Sequence, residues 1–304
     1  MNNTGFPLWP PPEKRVPMKR DVEYVGPEDV FYDYCLHAYT PPVPAEGKLR
    51  SVNLLRHSFA VRGVGEAMYD LVEGLRHTVG TGNTVWGLKM AGTAIAWEYY
   101  FYDYRRRNRE RSMSRVLQAM RPWVTPRVVP NENLHYFMFS IDITDDLLRG
   151  GEDLDRVHMY IGTPGSTVSA GICYALTGKG AALENLYYFF RPADQMDEIA
   201  FKIACSAHVD DLRIPLDAIL WPELRQCRTI CCANKPECDC IYFSGITVDQ
   251  FLFFLEKMAY PEPIIGFVRK NRDRLDHLLF DVGIDYRMEN GRLVIPKSGY
   301  YGTF

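Results

Sequence analysis

The chain has no apolar run approaching the roughly 20 residues that a membrane-spanning helix needs, so no membrane partner is expected. It also lacks charge of one sign. Its 35 Lys and Arg stand against 38 Asp and Glu, a net charge of -3. That balance gives neither the basic face of a nucleic-acid binder nor a long-range steering field. The opening segment MNNTGFPLWPPPEKRVPMKR has no apolar stretch of the secretory kind, which points to the cytoplasm and to reduced thiols. Five of the eight cysteines lie between Cys227 and Cys240, spaced C-x3-C-C-x5-C-x-C. Paired C-x2-C knuckles are missing, so buried thiols are the plainer reading and no metal is expected, although Cys238 and Cys240 share a strand face. Gly-Thr-Pro-Gly at 162–165 is a turn without the G-x4-G-K-[ST] pattern of a phosphate loop.

What the chain does have is length, apolar content and a repeated pattern. Its 304 residues, 47% of them hydrophobic, suffice for one large domain. Residues 1–45 are proline-rich and aperiodic and read as an extended arm, with one short helix expected around Pro27–His37. Residues 46–304 read as one domain of two-stranded units separated by helices. Leu49–Leu55 and Ser58–Val61 are expected to form the first hairpin, followed by a helix over Gly65–Arg76. Thr84–Met90 and Ala94–Tyr104 make the second, followed by a basic helix over Arg107–Met120. Leu134–Thr144 and Asp155–Gly162 make the third. Ser166–Arg191 is ambiguous between helix and strand, and Ala193–Ala207 reads as a helix. Arg228–Cys232 and Cys238–Ser244 form the fourth hairpin, then helices follow over Val248–Met258 and Ile264–Arg274. His277–Tyr286 and Arg292–Tyr300 form the fifth, turning at Asn290-Gly291. Strands that come in pairs exclude a singly alternating parallel sheet. Ten antiparallel strands tend to curl and close, which removes their edges. The fold class expected is therefore α+β, a ten-stranded antiparallel barrel surrounded by helices.

Period-two alternation assigns the faces. An interior set is expected from Trp97, Tyr99 and Phe101, from Arg156, His158 and Tyr160, and from Cys238, Cys240, Tyr242 and Ser244. Val157, Met159, Ile161, Ile241 and Phe243 are expected outside, under the helices. Each inward set contains a tyrosine: Tyr99, Tyr160 and Tyr242. Tyrosine hydroxyls donate to anions, and the ring faces attract cations. The other reading is that these are packing residues with satisfied hydroxyls. Arg105, Arg106, Arg107, Arg109 and Arg111 form a basic run that could meet an acidic partner or a leader peptide, or simply be a solvated helix face.

On these segments the chain resembles the dimethylallyltryptophan synthase family of indole prenyltransferases, whose barrel alternates helix pairs with strand pairs. The resemblance runs from about Leu49 to the end. It rests on Phe139-Ser-Ile-Asp-Ile, on Asp155-Arg-Val-His-Met-Tyr-Ile-Gly-Thr-Pro, and on Ser166 through Gly178. It also rests on Ala94–Tyr102, on Asp239-Cys-Ile-Tyr-Phe, and on the tail Asp276–Tyr300. In length the chain is nearer the short bacterial barrel prenyltransferases, including those that modify cyanobactin peptides. The resemblance implies transfer of a prenyl group from an allylic diphosphate to an indole or other aromatic acceptor, without a metal or other cofactor. It places Arg156, Tyr160, Tyr99 and Tyr242 around the donor, with Trp97, His158 and Cys240 where the family carries lysines. Lys89, Lys297, Arg50 and Arg56 are candidate replacements for those cations, and Tyr300 a further substrate contact. The family's glutamate on the first strand falls at Leu49 or Arg50. Glu98, Asp142 and His158 are the leading candidates for proton transfer, with His57 and His135 behind them. Small-molecule substrates are the expected partners, for a monomer or homodimer. The missing lysines keep two alternatives open: a cyclase or isomerase on the same barrel that uses no diphosphate, and a non-catalytic binding barrel.

Overall fold

A strand that alternates polar and apolar residues can bury one face under helices and turn the other toward a lumen. The computed structural model describes residues 22–82, 84–162, 169–210 and 214–304, and in it ten such strands close into one antiparallel barrel. The strands follow chain order around the wall, and the last pairs with the first.

The arm contributes a short ladder, β1 (Phe31–Tyr32) and β2 (Ala38–Tyr39). This replaces the helix expected over Pro27–His37. The turn between the strands is held by Asp33, whose carboxylate accepts from the N–H groups of Cys35 and His37 and so competes with helical bonding. Residues 49–61 do not form a hairpin either. Val52–Arg62 is the helix α1, with Val52, Leu55 and Phe59 buried at helical spacing and Gly63 closing it in the left-handed region (φ 63). The helix α2 (Glu66–Val79) follows. Glu23 of the arm bridges the two helices, 2.6 Å from Arg56 and 2.7 Å from Arg76.

The barrel begins with β3 (Thr84–Ala91) and β4 (Ala94–Tyr102), joined through Gly92 at φ 58. The basic segment after β4 is helical only as α3 (Met113–Met120). Two of its arginines are spent on backbone carbonyls: Arg109 donates to those of Glu132, Leu134 and Tyr136, and Arg111 to that of Val79. Next come β5 (Met138–Ile143), α4 (Asp145–Leu148) and β6 (Arg156–Gly162). Apart from Gly162, the Gly-Thr-Pro-Gly turn lies outside the described residues. The ambiguous stretch resolves as a hairpin, β7 (Ser169–Thr177) and β8 (Gly180–Phe190), with a bulge after Cys173. This hairpin supplies the two strands wrongly assigned to residues 49–61, so the total of ten stands.

The wall continues through α5 (Met196–Ala204), β9 (Thr229–Asn234) and β10 (Asp239–Ile246). Helices α6 (Val248–Lys257), α7 (Glu262–Lys270) and α8 (Arg272–Leu275) precede β11 (Phe280–Glu289) and β12 (Arg292–Thr303). The last pair turns through Asn290 (φ 51) and Gly291 (φ 74), the backbone that an Asn-Gly hairpin requires. No helix among the described residues is long and apolar enough to cross a membrane.

The apolar core lies between barrel and helices. Leu88, Trp97, Tyr99, Phe101, Phe139, Val157, Ile241 and Val282 belong to it, together with Leu55, Phe59, Met68 and Phe251 from the helices. Trp97 packs edge-on to Phe59 at 5.2 Å and donates to Ser58 Oγ. Trp97→Ala is expected to cost about 3–5 kcal/mol, the range for emptying a buried aromatic site. Denaturant unfolding checks this; unchanged stability would show that the side chain is not in that core.

Candidate functional site

The core assignment fixes which side chains face the lumen. On β6, and on β10 with the residue before it, the expected faces hold: Arg156, His158 and Tyr160, and Cys238, Cys240 and Tyr242, line an interior chamber of about 430 Å³, while Ser244 lies outside that chamber and donates to Asp281. On β4 the face is reversed. Trp97 and Tyr99 point to the helices, and Glu98, Tyr100 and Tyr102 point inward. Both faces of this strand carry aromatics, so aromatic content alone does not choose between them. The buried carboxylate Glu98 does, because helix-packed faces here are apolar. Tyr300 is outside too, against Trp86, Phe251 and Tyr260, while Tyr301 faces the lumen.

The chamber is charged on both halves of its wall. On β3 to β6, Lys89 Nζ lies 2.5 Å from Glu98 Oε2 and 2.7 Å from Asp142 Oδ1. His158 Nδ1 is 3.5 Å from Glu98 Oε1, and its Nε2 is 3.4 Å from Glu184 Oε2. Arg156 reaches toward Glu184 at 3.6 Å from a half-exposed position. On β9 to β12, Lys235 and Lys297 hold the two oxygens of Asp285 at 2.6 and 2.9 Å. Two ammonium groups thus share one carboxylate.

Burial disfavours the charged form of each of these groups, and the partners overcome it. For Glu98, burial raises the pKa, yet Lys89 and His158 hold it well below the carboxylate range. Asp285 is likewise raised by burial but drawn down to about 2 by Lys235 and Lys297. Lys89 and Lys235, pushed down by burial, end above the usual lysine value because of Glu98 and Asp142 in one case, and chiefly Cys240 and Asp285 in the other. His158 is lowered by burial and raised more by the hydrogen bond and charge of Glu98, so it finishes above 6.5.

Below the charges stands a collar of tyrosines. The rings follow one another as Tyr160, Tyr187, Tyr242, Tyr301 and Tyr100, with centroids 5.9, 6.4, 6.0 and 5.9 Å apart. The circuit closes through hydrogen bonds. Tyr100 donates to Glu98, Ser140 Oγ donates to Glu98 at 2.5 Å, and Ser140 Oγ lies 3.3 Å from Tyr160 OH. Glycines let the rings lie against the wall. A Cβ on Gly283 would stand 2.5 Å from the Tyr242 ring, and one on Gly87 2.8 Å from that of Tyr301. Burial pushes all five phenols above their ordinary pKa, so their hydroxyls remain protonated donors. Beyond the collar is a smaller, mainly apolar chamber of about 70 Å³, lined also by Tyr34, Tyr102, Met138 and Phe189.

The structure therefore brings together Glu98, Asp142, His158, Arg156, Tyr160, Tyr242, Cys240, Lys89 and Lys297. Outside the lumen are Trp97, Tyr99 and Tyr300, and also His57, which stacks on Phe267, His135, which accepts from Arg107, and Arg50 and Arg56, which pair with arm carboxylates. Lys235, Glu184, Asp285, Tyr100, Tyr187 and Tyr301 were not found by sequence reasoning. Alternation carries a signal for Asp285, since Asp281, Gly283 and Asp285 interleave with Val282 and Ile284. Lys235 comes from the turn Ala233–Glu237 and has no periodic signal.

Ligand atoms of Glu98, Asp142 and His158 lie within 4.8 Å of one another and could hold a cation. The Lys89 ammonium already supplies positive charge between the two carboxylates. Among the described cysteines all eight are free thiols, and those of β9 and β10 are buried in the barrel wall. No protein-family model and no curated protein sequence matches this chain.

The raised pKa of His158 has a thermodynamic sign. Its pairing with Glu98 adds stability below about pH 6.5, and that contribution is lost as pH rises through the higher folded-state value. An NMR titration should place its midpoint above 6.5. In Glu98→Gln the midpoint should fall, because burial then acts with one carboxylate fewer; a midpoint indifferent to that substitution would contradict the pairing.

Proposed function

We propose that this protein is an aromatic prenyltransferase that joins the prenyl group of an allylic diphosphate to an indole or another aromatic acceptor. The observation that carries this reading is the closed tyrosine collar between a charged chamber and an apolar one. An allylic diphosphate has that same polarity: an anionic head, a carbon that becomes cationic, and an apolar tail. The two ammonium groups sharing Asp285 leave positive charge for the head, helped by Arg156 and the tyrosine hydroxyls. As the C–O bond breaks, its electron pair leaves with the diphosphate, held by these donors. The ring faces of Tyr100, Tyr160, Tyr187, Tyr242 and Tyr301 stabilise the allyl cation, at about 2 kcal/mol or more for a desolvated contact. The acceptor ring supplies the electron pair of the new C–C bond, and its displaced proton passes to the Glu98–His158 pair.

The lumen faces revise how the family resemblance is read. Its Lys-x-Tyr-Phe pattern falls on Glu98-Tyr99-Tyr100-Phe101, so a carboxylate stands where the family has a lysine. The first barrel strand presents Lys89 rather than a glutamate.

One observation favours a second reading. Lys89, Arg156, Lys235 and Lys297 face five chamber carboxylates, Glu98, Asp142, Glu184, Glu237 and Asp285. A lumen with that balance suits a cyclase or isomerase that forms its cation by protonation, with no diphosphate to bind. Mass spectrometry separates the two. Incubation with dimethylallyl diphosphate and a panel of indoles should give a product heavier by one dimethylallyl unit, and Lys297→Met should slow it at least tenfold. Absence of any adduct across several donors and acceptors sinks the transferase reading.

A further inference from the structure

The barrel has a second mouth, beyond the apolar chamber. Residues 33–37 of the arm lie across it as a strap. The Tyr34 N–H donates to Asp281 Oδ2 at 3.0 Å, and the carbonyls of Tyr34 and Cys35 accept from Tyr102 and Tyr104 hydroxyls at 2.6 and 2.7 Å. Outside the strap lies a groove of about 520 Å³. Tyr34, Cys35, Phe137 and Phe189 line both this groove and the apolar chamber, so the partition between them is a single layer of residues.

Two features of the groove select its ligand. Tyr104 and Phe137 stack with centroids 5.6 Å apart and planes 8° from parallel, giving a flat aromatic wall. Beside them is Arg106, half-buried and held in the left-handed region at φ 61, where a side chain is unfavourable. Its neighbours Arg105, Arg107, Arg109, Arg111 and Arg115 all bond to carboxylates, carbonyls or His135. The Arg106 guanidinium has no hydrogen-bond or ion-pair partner among the described residues. Arg191 on the rim is engaged by Asp194, and Asp33, the one carboxylate among the described residues of the groove, accepts from the strap's own N–H groups.

We propose that this groove binds a flat aromatic ring bearing a carboxylate, with the ring against Tyr104 and Phe137 and the carboxylate on Arg106. The class includes aromatic amino acids acylated at nitrogen and peptides that end in one. Its role as the port through which the acceptor approaches the collar rests on the prenyl-transfer reading; the binding itself does not.

The test is calorimetric titration of the full chain with N-acetyl-L-tryptophan and with its uncharged amide. The acid should bind at least about tenfold more tightly, the scale of one charged hydrogen-bonded contact. Arg106→Gln should abolish the preference without lowering Tm, since no partner among the described residues is lost, and Lys297→Met in the charged chamber should leave it intact. Three results would overturn the proposal: no binding of either compound, equal binding of both, or a preference that survives Arg106→Gln. Missing prenyl transfer would leave this result standing, so the two readings fail separately.

Discussion

Ionised groups inside the barrel are the constraint on which the site depends. Glu98 is almost fully enclosed, and Asp285 nearly so, yet both stay charged because lysines from other strands reach them. Neighbouring strands bring these pairs together, and closure of the sheet is what turns them into an enclosed lumen. Lys89, Glu98 and Asp142 sit on three successive strands, while Lys235, Asp285 and Lys297 converge from the turn after β9, from β11 and from β12. Buried ion pairs commonly stabilise no better than apolar residues of the same volume, and losing one partner costs about 3–5 kcal/mol. Stability is therefore a poor reason for filling this lumen with charge, and the proposed function supplies another, donors preorganised for a charged ligand.

The collar follows from the same alternation. Each strand gives its apolar face to the helices and its polar or aromatic face to the lumen, and glycines at 87 and 283 make room for rings to lie flat. Glu98 connects the two layers. It accepts from Tyr100 and Ser140 in the collar and pairs with Lys89 and His158 above. Charge and aromatic faces thus meet at one carboxylate.

The barrel was legible because strand pairs carry strong local signals. Asn290-Gly291 fixes one turn, and Val157, Met159 and Ile161 alternate cleanly with Arg156, His158 and Tyr160. Where the signal is local but two-sided, reading failed. Residues 52–59 suit helix or strand by apolar content, and only the positions buried under the barrel decide for helix. In β4 both faces are aromatic, so alternation puts Tyr99 in the lumen where the structure has Tyr100, a one-residue slip that reverses every side chain. Lys235 is invisible to periodicity because a turn residue acquires its role from a strand it is not part of, here from Asp285 on β11, which pairs with the β10 that the turn leads into.

The proposed function requires the collar to enclose the reacting carbon. A crystal structure with a non-hydrolysable thiolo analogue of dimethylallyl diphosphate addresses it directly. Its alkyl chain should lie within the rings of Tyr100, Tyr160, Tyr187, Tyr242 and Tyr301, with its phosphates toward Lys235 and Lys297. An analogue bound outside the barrel, or excluded at saturating concentration while the protein remains folded, would contradict it.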